Sequence, residues 1–528
     1  MKLRLNKTQI AQCRSIAKVV SRDVGKMISQ HSTVAIERSA LRVMGICGAH
    51  KKADGQFYPH ANAIVDQLEK DNVLARGASF WLANAMLQLE KSAEDVAALV
   101  AEDKLRLSEI PLQKKAAVEK TARALAKAGV TKIVEQKKNR KNLLKHLDDP
   151  HDPSFKKPPM KYVIVASGNI FEDVVQARAA AQAGADVIAV IRSTAQSLLD
   201  YVPHGSTTEG FGGTYATQEN FRIMRRALDE ESEKLGRYIR LTNYSSGLCM
   251  PEIASLAAIE RLDFLLCDSL YGILFRDINM KRTLIDQHFS RMMCALSEIF
   301  INTGEDNYLT TADAVENGHQ VLASQFLNER FALDAHMKES FMGLGHAMEM
   351  NPWHPNGILL EIARAQMTRD IFPKAPLKYM PPTRHMEGDI FFGHVYDAIF
   401  NLVSVMTKQG IHLLGMPTEA IHTPLLGDRY MALKSCNYIF GGAADLGDEL
   451  IFRPNGKIEK WSQKVLKESL QLLKKIERIG LYRAIEEKCF AEVSRSLTGG
   501  KGFKGVFEKH AEYFNPVQDA LEVELVKR

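Results

Sequence analysis

The chain has 528 residues, 45% of them hydrophobic, enough for a large core and more than one structural unit. Its 69 basic and 63 acidic residues leave a formal net charge of +6, with the two signs interspersed. That excludes a nucleic-acid binder built on a basic face and leaves small anionic ligands open. No apolar run reaches the ~18 residues of a membrane span, and the first residues (Met1-Lys2-Leu3-Arg4) lead into no signal-peptide core, so a cytoplasmic protein with no membrane association is expected.

Residues 1–160 read as a helical region followed by a linker. Ile36, Ala40, Val43 and Met44 share helical spacing, and the Lys-, Ala- and Glu-rich window 112–147 reads as a helix with a solvated charged face. No strand is evident there. The run Asp148-Asp149-Pro150-His151-Asp152-Pro153 marks a turn-rich linker, not a metal site, because adjacent loop residues rarely converge on one ion.

Residues 161–445 change texture. Short apolar segments alternate with amphipathic ones, the pattern of parallel β/α units. Eight strands are expected: Tyr162–Ser167, Val187–Arg192, Tyr238–Asn243, Phe264–Asp268, Ile299–Asn302, Gly343–Met348, Leu377–Met380 and Ile411–Met416. Eight units favour a closed (β/α)8 TIM barrel over an open sheet. Residues 446–528 return to helix, with Ile458, Trp461, Val465, Leu472, Ile476 and Ile479 as an apolar stripe, so the fold class is α/β, a barrel with helical N- and C-terminal extensions.

A barrel of this kind places its chemistry at the carboxyl ends of its strands, and polar residues follow several of the expected strands. Arg192, Ser193, Thr194, Ala195, Gln196 and Ser197 after strand two suit a phosphate, since a guanidinium, two hydroxyls and an amide surround its oxygens; capping of the next helix is the alternative use. Ser246 after strand three joins them. Tyr271 after strand four offers a flat face to an aromatic ligand, or packs ordinarily, with Arg276 nearby. Asp306 or Asn307 suits a pyridine nitrogen, although Gly304-Glu305-Asp306-Asn307 also has turn composition. Lys378 and Glu419 are candidates for a catalytic or substrate-holding role, or for a barrel-lining ion pair. The histidines show no metal-ligand spacing, and the seven scattered cysteines suit neither disulfides, zinc ribbons nor iron–sulfur clusters. Gly210-Phe211-Gly212-Gly213 reads as a tight loop, and Gly500-Lys501-Gly502-Phe503-Lys504-Gly505 as a chance GxGxxG match in a flexible loop that follows no strand.

Longer strings carry a resemblance. Ile191-Arg192-Ser193-Thr194-Ala195-Gln196-Ser197-Leu198-Leu199-Asp200-Tyr201-Val202-Pro203, Thr208 to Asn220, Leu270 to Met280 and Ile301 to Tyr308 resemble the large, alpha subunit of the lysine 5,6-aminomutase family, well over about half the chain and more weakly at the flanks. The resemblance implies a radical 1,2-amino migration from carbon 6 to carbon 5 of β-lysine or D-lysine, dependent on pyridoxal 5′-phosphate and adenosylcobalamin. It implies phosphate contacts at Arg192–Ser197 and Ser246, a stacking ring at Tyr271 beside Arg276, a cofactor contact at Asn307 with Asp306 as its electrostatic neighbour, and catalytic or substrate roles for Lys378 and Glu419. The family's cobalamin-ligating DxHxxG motif is absent; Asp334-Ala335-His336-Met337-Lys338-Glu339 lacks the glycine. In that family the motif and the lysine that holds pyridoxal phosphate belong to a small beta subunit. The expected assembly is therefore an α2β2 heterotetramer, with this chain inactive alone. An ornithine 4,5-aminomutase-like subunit and a non-catalytic ligand-binding barrel are the rivals.

Overall fold

The computed structural model describes residues 1–149, 157–190, 196–210, 213–245, 247–268, 270–304, 315–346 and 352–527. Its centre is a ring of parallel strands: β1 (Met160–Ile164), β2 (Val187–Ala189), β3 (Arg240–Tyr244), β4 (Phe264–Leu266), β5 (Phe300–Asn302), β6 in two pieces (Met342–Gly343 and Gly345–His346), β7 (Lys378–Tyr379) and β8 (Ile411–Leu413). Each pairs with the next and β8 pairs with β1. The first piece of β6 pairs with β5 and the second with β7, and Leu344 alone joins the two, so the ring closes at eight strand positions. The (β/α)8 expectation holds, and every expected strand is present, most of them shorter. β1 stops at Ile164 rather than Ser167 because the Ser167 amide leaves the ladder and donates to Asp173 Oδ1 (2.6 Å).

Strand alternation fixes which side chains fill the ring. Met160, Val187, Phe264, Phe300 and Ile411, from five different strands, form one buried apolar cluster and plug its lower interior. Positions two residues further along these strands point inward as well. Tyr379 faces the other way, against Phe400 (ring centroids 5.6 Å apart) on the helix Ile390–Met406, so its neighbour Lys378 points into the barrel.

The flanks are not independent of the barrel. One apolar core runs from Cys13 to Leu525 and includes Leu256, Met293 and Leu327 of the barrel helices. The N-terminal region also contains strands that sequence reasoning missed. His31–Thr33 pairs antiparallel with Val506–Glu508, joining the two extensions, and Ala49–Lys51 pairs with Phe57–Pro59. Three-residue strands are too short to leave a periodicity. The expected apolar stripe lies on the helix Lys457–Ile479, which packs against Lys7–Gln30 and Gly318–Asp334.

The helix Val34–Val43 is buried along its whole length against Met250–Ile259. Its Arg42 pairs with Glu252 (2.6 Å) and donates to Val202 O (3.1 Å), while Arg38 reaches the Asp200 carbonyl. It thereby braces the chain just beyond the Gln196–Leu198 turn. The helix Lys115–His146 is charged outward, as expected, but buries Val118, Ala122, Ala126, Val130 and Ile133. At Gly129 it crosses the end of Val34–Val43 so closely that a Cβ would overlap Val43 O. Gly129→Ala gains helix propensity but must part the two helices. A net loss of about 2 kcal/mol is expected in urea unfolding, and an unchanged midpoint would show that the crossing can relax.

Candidate active site

Above the apolar plug the barrel interior becomes polar. Tyr162, Thr242, Tyr244 and Asn302 sit at inward positions of β1, β3 and β5, joined by Lys378 of β7. Among the described residues neither polar atom of the buried Asn302 carboxamide has a hydrogen-bond partner, while the Tyr244 hydroxyl lies toward Tyr271 and Arg276. Space for Asn302 exists because its neighbour on β6 is Gly343, where a Cβ would lie 2.7 Å from Asn302 Oδ1. Tyr162, Ile164, Tyr244 and Leu266 point inward yet stay only partly buried. Unpaired polar atoms in a barrel interior cost free energy unless a ligand's polar groups meet them, so this upper layer marks the site.

The rim loops are fastened to one another. Asp268, fully buried after β4, accepts from Leu270 N (2.8 Å), Tyr271 N (3.2 Å) and Gly304 N, tying the β4 and β5 loops together. Burial pushes its pKa up; the three amides and the Arg291 charge pull it back. The β2 and β3 loops meet at Gly247, where a Cβ would lie 2.6 Å from Ser197 Cα, and Leu248 N donates to Ser197 O (3.0 Å). At β1, Asp173 accepts from Ser167 N and Thr214 Oγ1, and Gly168 packs backbone to backbone on Gly210. The expected tight glycine loop thus approaches the chain's own backbone at Gly210; Phe211 and Gly212 lie outside the described residues.

Of the expected phosphate contacts, Arg192, Ser193, Thr194, Ala195 and Ser246 lie outside the described residues, as do Asp306 and Asn307. Ser197 sits where the β2 and β3 loops touch. The Gln196 carboxamide donates to Ala216 O (2.9 Å) and accepts from Ala216 N (2.6 Å). It anchors the 213–217 loop.

Tyr271 opens the short helix Tyr271–Arg276 after β4. Its ring meets Tyr244 edge-on (5.8 Å) and stacks on Phe275 (5.3 Å), and its hydroxyl accepts from Arg276 Nη2 (3.2 Å). The Arg276 guanidinium also covers the Phe275 ring (4.4 Å). Tyr244, Tyr271 and Arg276 therefore form one aromatic and cationic cluster between β3 and β4. Burial raises the Tyr244 hydroxyl well above its ordinary pKa, as does the neighbouring Tyr271. The Tyr244 hydroxyl therefore stays neutral.

Across the barrel, Lys378 and Glu419 are buried, at 4% and 3% exposure. Glu419 is close enough to β1 and to the Ile390–Met406 helix for its charge to help raise the pKa of Tyr162 and of Asp397, each shifted first by burial. Arg429 closes this side, with Nε donating to Ile164 O (2.7 Å). Sequence reasoning passed over Tyr162, Tyr244, Asn302, Asp268 and Arg429. Tyr162 and Asn302 were signalled by strand parity: a polar residue two positions beyond an inward apolar one. Among the described residues no group of three or more His, Cys, Asp or Glu is arranged to hold a metal. His346 is buried and neutral, its pKa pushed down to about 3, with Nε2 against Gln409 Oε1 (2.8 Å).

Residues 3–520 match the family model for the D-lysine 5,6-aminomutase TIM-barrel domain of the alpha subunit. The lysine 5,6-aminomutase alpha subunit of Acetoanaerobium sticklandii is 51% identical over 520 residues, and that of Fusobacterium nucleatum 51% identical over 515, with 98% of each chain covered in both cases. The D-ornithine 4,5-aminomutase subunit beta of A. sticklandii is 28% identical over 366 residues, 67% of this chain and 49% of that one. The barrel, the polar upper interior and these matches together show that the chain belongs to the lysine 5,6-aminomutase alpha-subunit family, a family of isomerases.

Proposed function

We propose that this chain is the large subunit of an enzyme that moves the terminal amino group of β-lysine or D-lysine from carbon 6 to carbon 5 in lysine degradation. It works in the cytoplasm, in an α2β2 assembly with a small cobalamin-binding beta subunit. The observation that carries the reading is the upper barrel interior, where the buried Asn302 carboxamide finds no hydrogen-bond partner among the described residues and the Tyr244 ring meets Tyr271, itself held by Arg276. That donor set suits a flat, polar, anionic coenzyme. Pyridoxal 5′-phosphate, when bound, supplies an electron-accepting ring, and adenosylcobalamin held by the partner supplies a carbon radical.

The chain's own residues bind, orient and shield. Arg192–Ser197 and Ser246 hold the phosphate, with Gln196 acting by anchoring its loop. Tyr271 presents its ring, and Arg276 fixes the Tyr271 hydroxyl. Asn307, with Asp306, faces the pyridine nitrogen. Lys378 and Glu419 hold the charged ends of the substrate, opposite in sign to its carboxylate and amine. The closed barrel keeps water and stray donors from a radical.

The test is co-expression with a small cobalamin-binding partner and assay with both cofactors. Turnover of β-lysine or D-lysine is expected. Turnover of ornithine alone would favour the related 4,5-aminomutase reading, and no turnover of any of the three would remove the catalytic one. In the same complex Arg192→Ala is expected to weaken pyridoxal phosphate retention about tenfold or more, the scale of one charge-assisted contact. Unchanged retention would overturn the phosphate role.

A further inference from the structure

The Tyr271–Arg276 helix has six residues, too few to hold helical form in water unaided. Its terminal carbonyls are bound by a segment more than 200 residues away. Arg495 donates from Nε to Ile273 O (2.9 Å) and from Nη2 to Leu274 O (2.8 Å), and pairs with Asp277 (3.2 Å). Lys501 donates from Nζ to Arg276 O (3.3 Å). The two backbones also join: Lys501 N donates to Asp277 O (2.7 Å) and Asn279 N to Lys501 O (2.9 Å). The Asn279 side chain donates to Leu497 O (3.0 Å) and Gly499 O (2.6 Å).

The glycine run is what permits the approach. Gly500 sits at φ +83°, and a Cβ there would lie 3.0 Å from Asn279 N and Asp277 O; at Gly502 a Cβ would overlap Leu248, next to Gly247 on the β3 loop. The GxGxxG-like string, expected to be a flexible loop, is packed against two rim loops at once.

We infer that residues 495–502 form a positioning strap that sets the Tyr271 ring and the 247–248 loop, and so the grip on an aromatic, phosphate-bearing cofactor. The inference rests on the reading of Tyr271 as a cofactor-facing ring. Arg495 and Lys501 act through that helix; no contact of theirs with the cofactor is invoked.

The experiment uses the assembled complex carrying Arg495→Ala, Arg495→Lys, Lys501→Ala or Tyr271→Ala. Three quantities are read: amide hydrogen exchange of residues 272–278 before cofactor is added, the dissociation constant of pyridoxal phosphate, and the visible circular dichroism of the bound cofactor. Arg495→Ala is expected to speed exchange in that segment, to raise the dissociation constant about tenfold, and to weaken the dichroic band. Arg495→Lys recovers part of each, and Lys501→Ala shows a smaller change in the same direction. The lysine variant keeps the comparison valid should Arg495→Ala fail to assemble. If Tyr271→Ala weakens binding but the strap variants leave affinity and dichroism unchanged, the strap inference falls. If Tyr271→Ala itself changes neither, the reading of the ring falls first.

Discussion

Replacing Asp268 with alanine is expected to cost about 4 kcal/mol of stability and to lower kcat/KM about a hundredfold. The first figure follows from what the carboxylate does. It accepts three backbone N–H groups, from Leu270, Tyr271 and Gly304, and all three sit with it in the buried rim. Alanine leaves these donors with no acceptor at a buried site, each costing about 1–3 kcal/mol. The second figure follows from where those amides lie. One belongs to Tyr271 and another opens the loop that leads to Asp306 and Asn307, so both sides of the site lose a common anchor. A displacement of about 1 Å in such groups is enough for a hundredfold loss. Urea unfolding of the complex and steady-state kinetics with saturating cofactors check the two figures separately. Asp268→Asn keeps one acceptor oxygen and is expected to fall between alanine and the parent. An alanine variant with parental stability and turnover would mean that the β4 and β5 loops hold their places without the carboxylate.

The barrel was legible because each strand is an apolar run bounded by turn residues, and that contrast survives in the sequence even for β7, which keeps only two residues in the ladder. Less legible was direction. Whether Lys378 or Tyr379 faces the interior depends on register against β6 and β8, and no single strand carries that information. Gln196 shows a second limit. Its composition suits a phosphate loop, and its carboxamide also engages the backbone of Ala216, twenty residues on, in a loop without periodicity. The strap shows a third. Residues 480–505 offer no stripe and no repeated spacing, and their value lies in fitting beside Asp277, Asn279 and Leu248. Glycines there read as looseness in the sequence and act as close packing in the fold. The family strings, by contrast, fall on the loops after β2, β4 and β5, where periodicity carries no signal.

The second large effect concerns Asp397, on the helix Ile390–Met406. Its carboxyl is fully buried, and among the described residues it meets neutral donors, Asn401 Nδ2 (3.1 Å) and Gly415 N (3.1 Å). Burial drives its pKa from 3.8 up to about 7, and the nearby Glu419 charge adds to the rise. In the unfolded chain the same carboxyl releases its proton near its ordinary value. Between pH 4 and 7 the folded state therefore holds a proton that the unfolded state has lost, and stability from this group falls as pH rises through that window. The loss is on the order of 4 kcal/mol, complete by about pH 7 to 8. Asp397→Asn carries no such charge. Its carbonyl oxygen accepts from Gly415 N, and its amide donates to Asn401 Oδ1 once the Asn401 carboxamide turns over, an oxygen with no donor among the described residues of the parent. The variant is expected to be the more stable protein at pH 8 by a few kcal/mol, with the gap closing toward pH 4. Titrating groups that do not interact with Asp397 are common to both proteins and cancel in the difference, which leaves Glu419 as a smaller contribution of the same sign. Parallel stability curves from pH 4 to 8 would show that Asp397 ionises in the folded barrel at no cost, and that water or a cation reaches it behind β8.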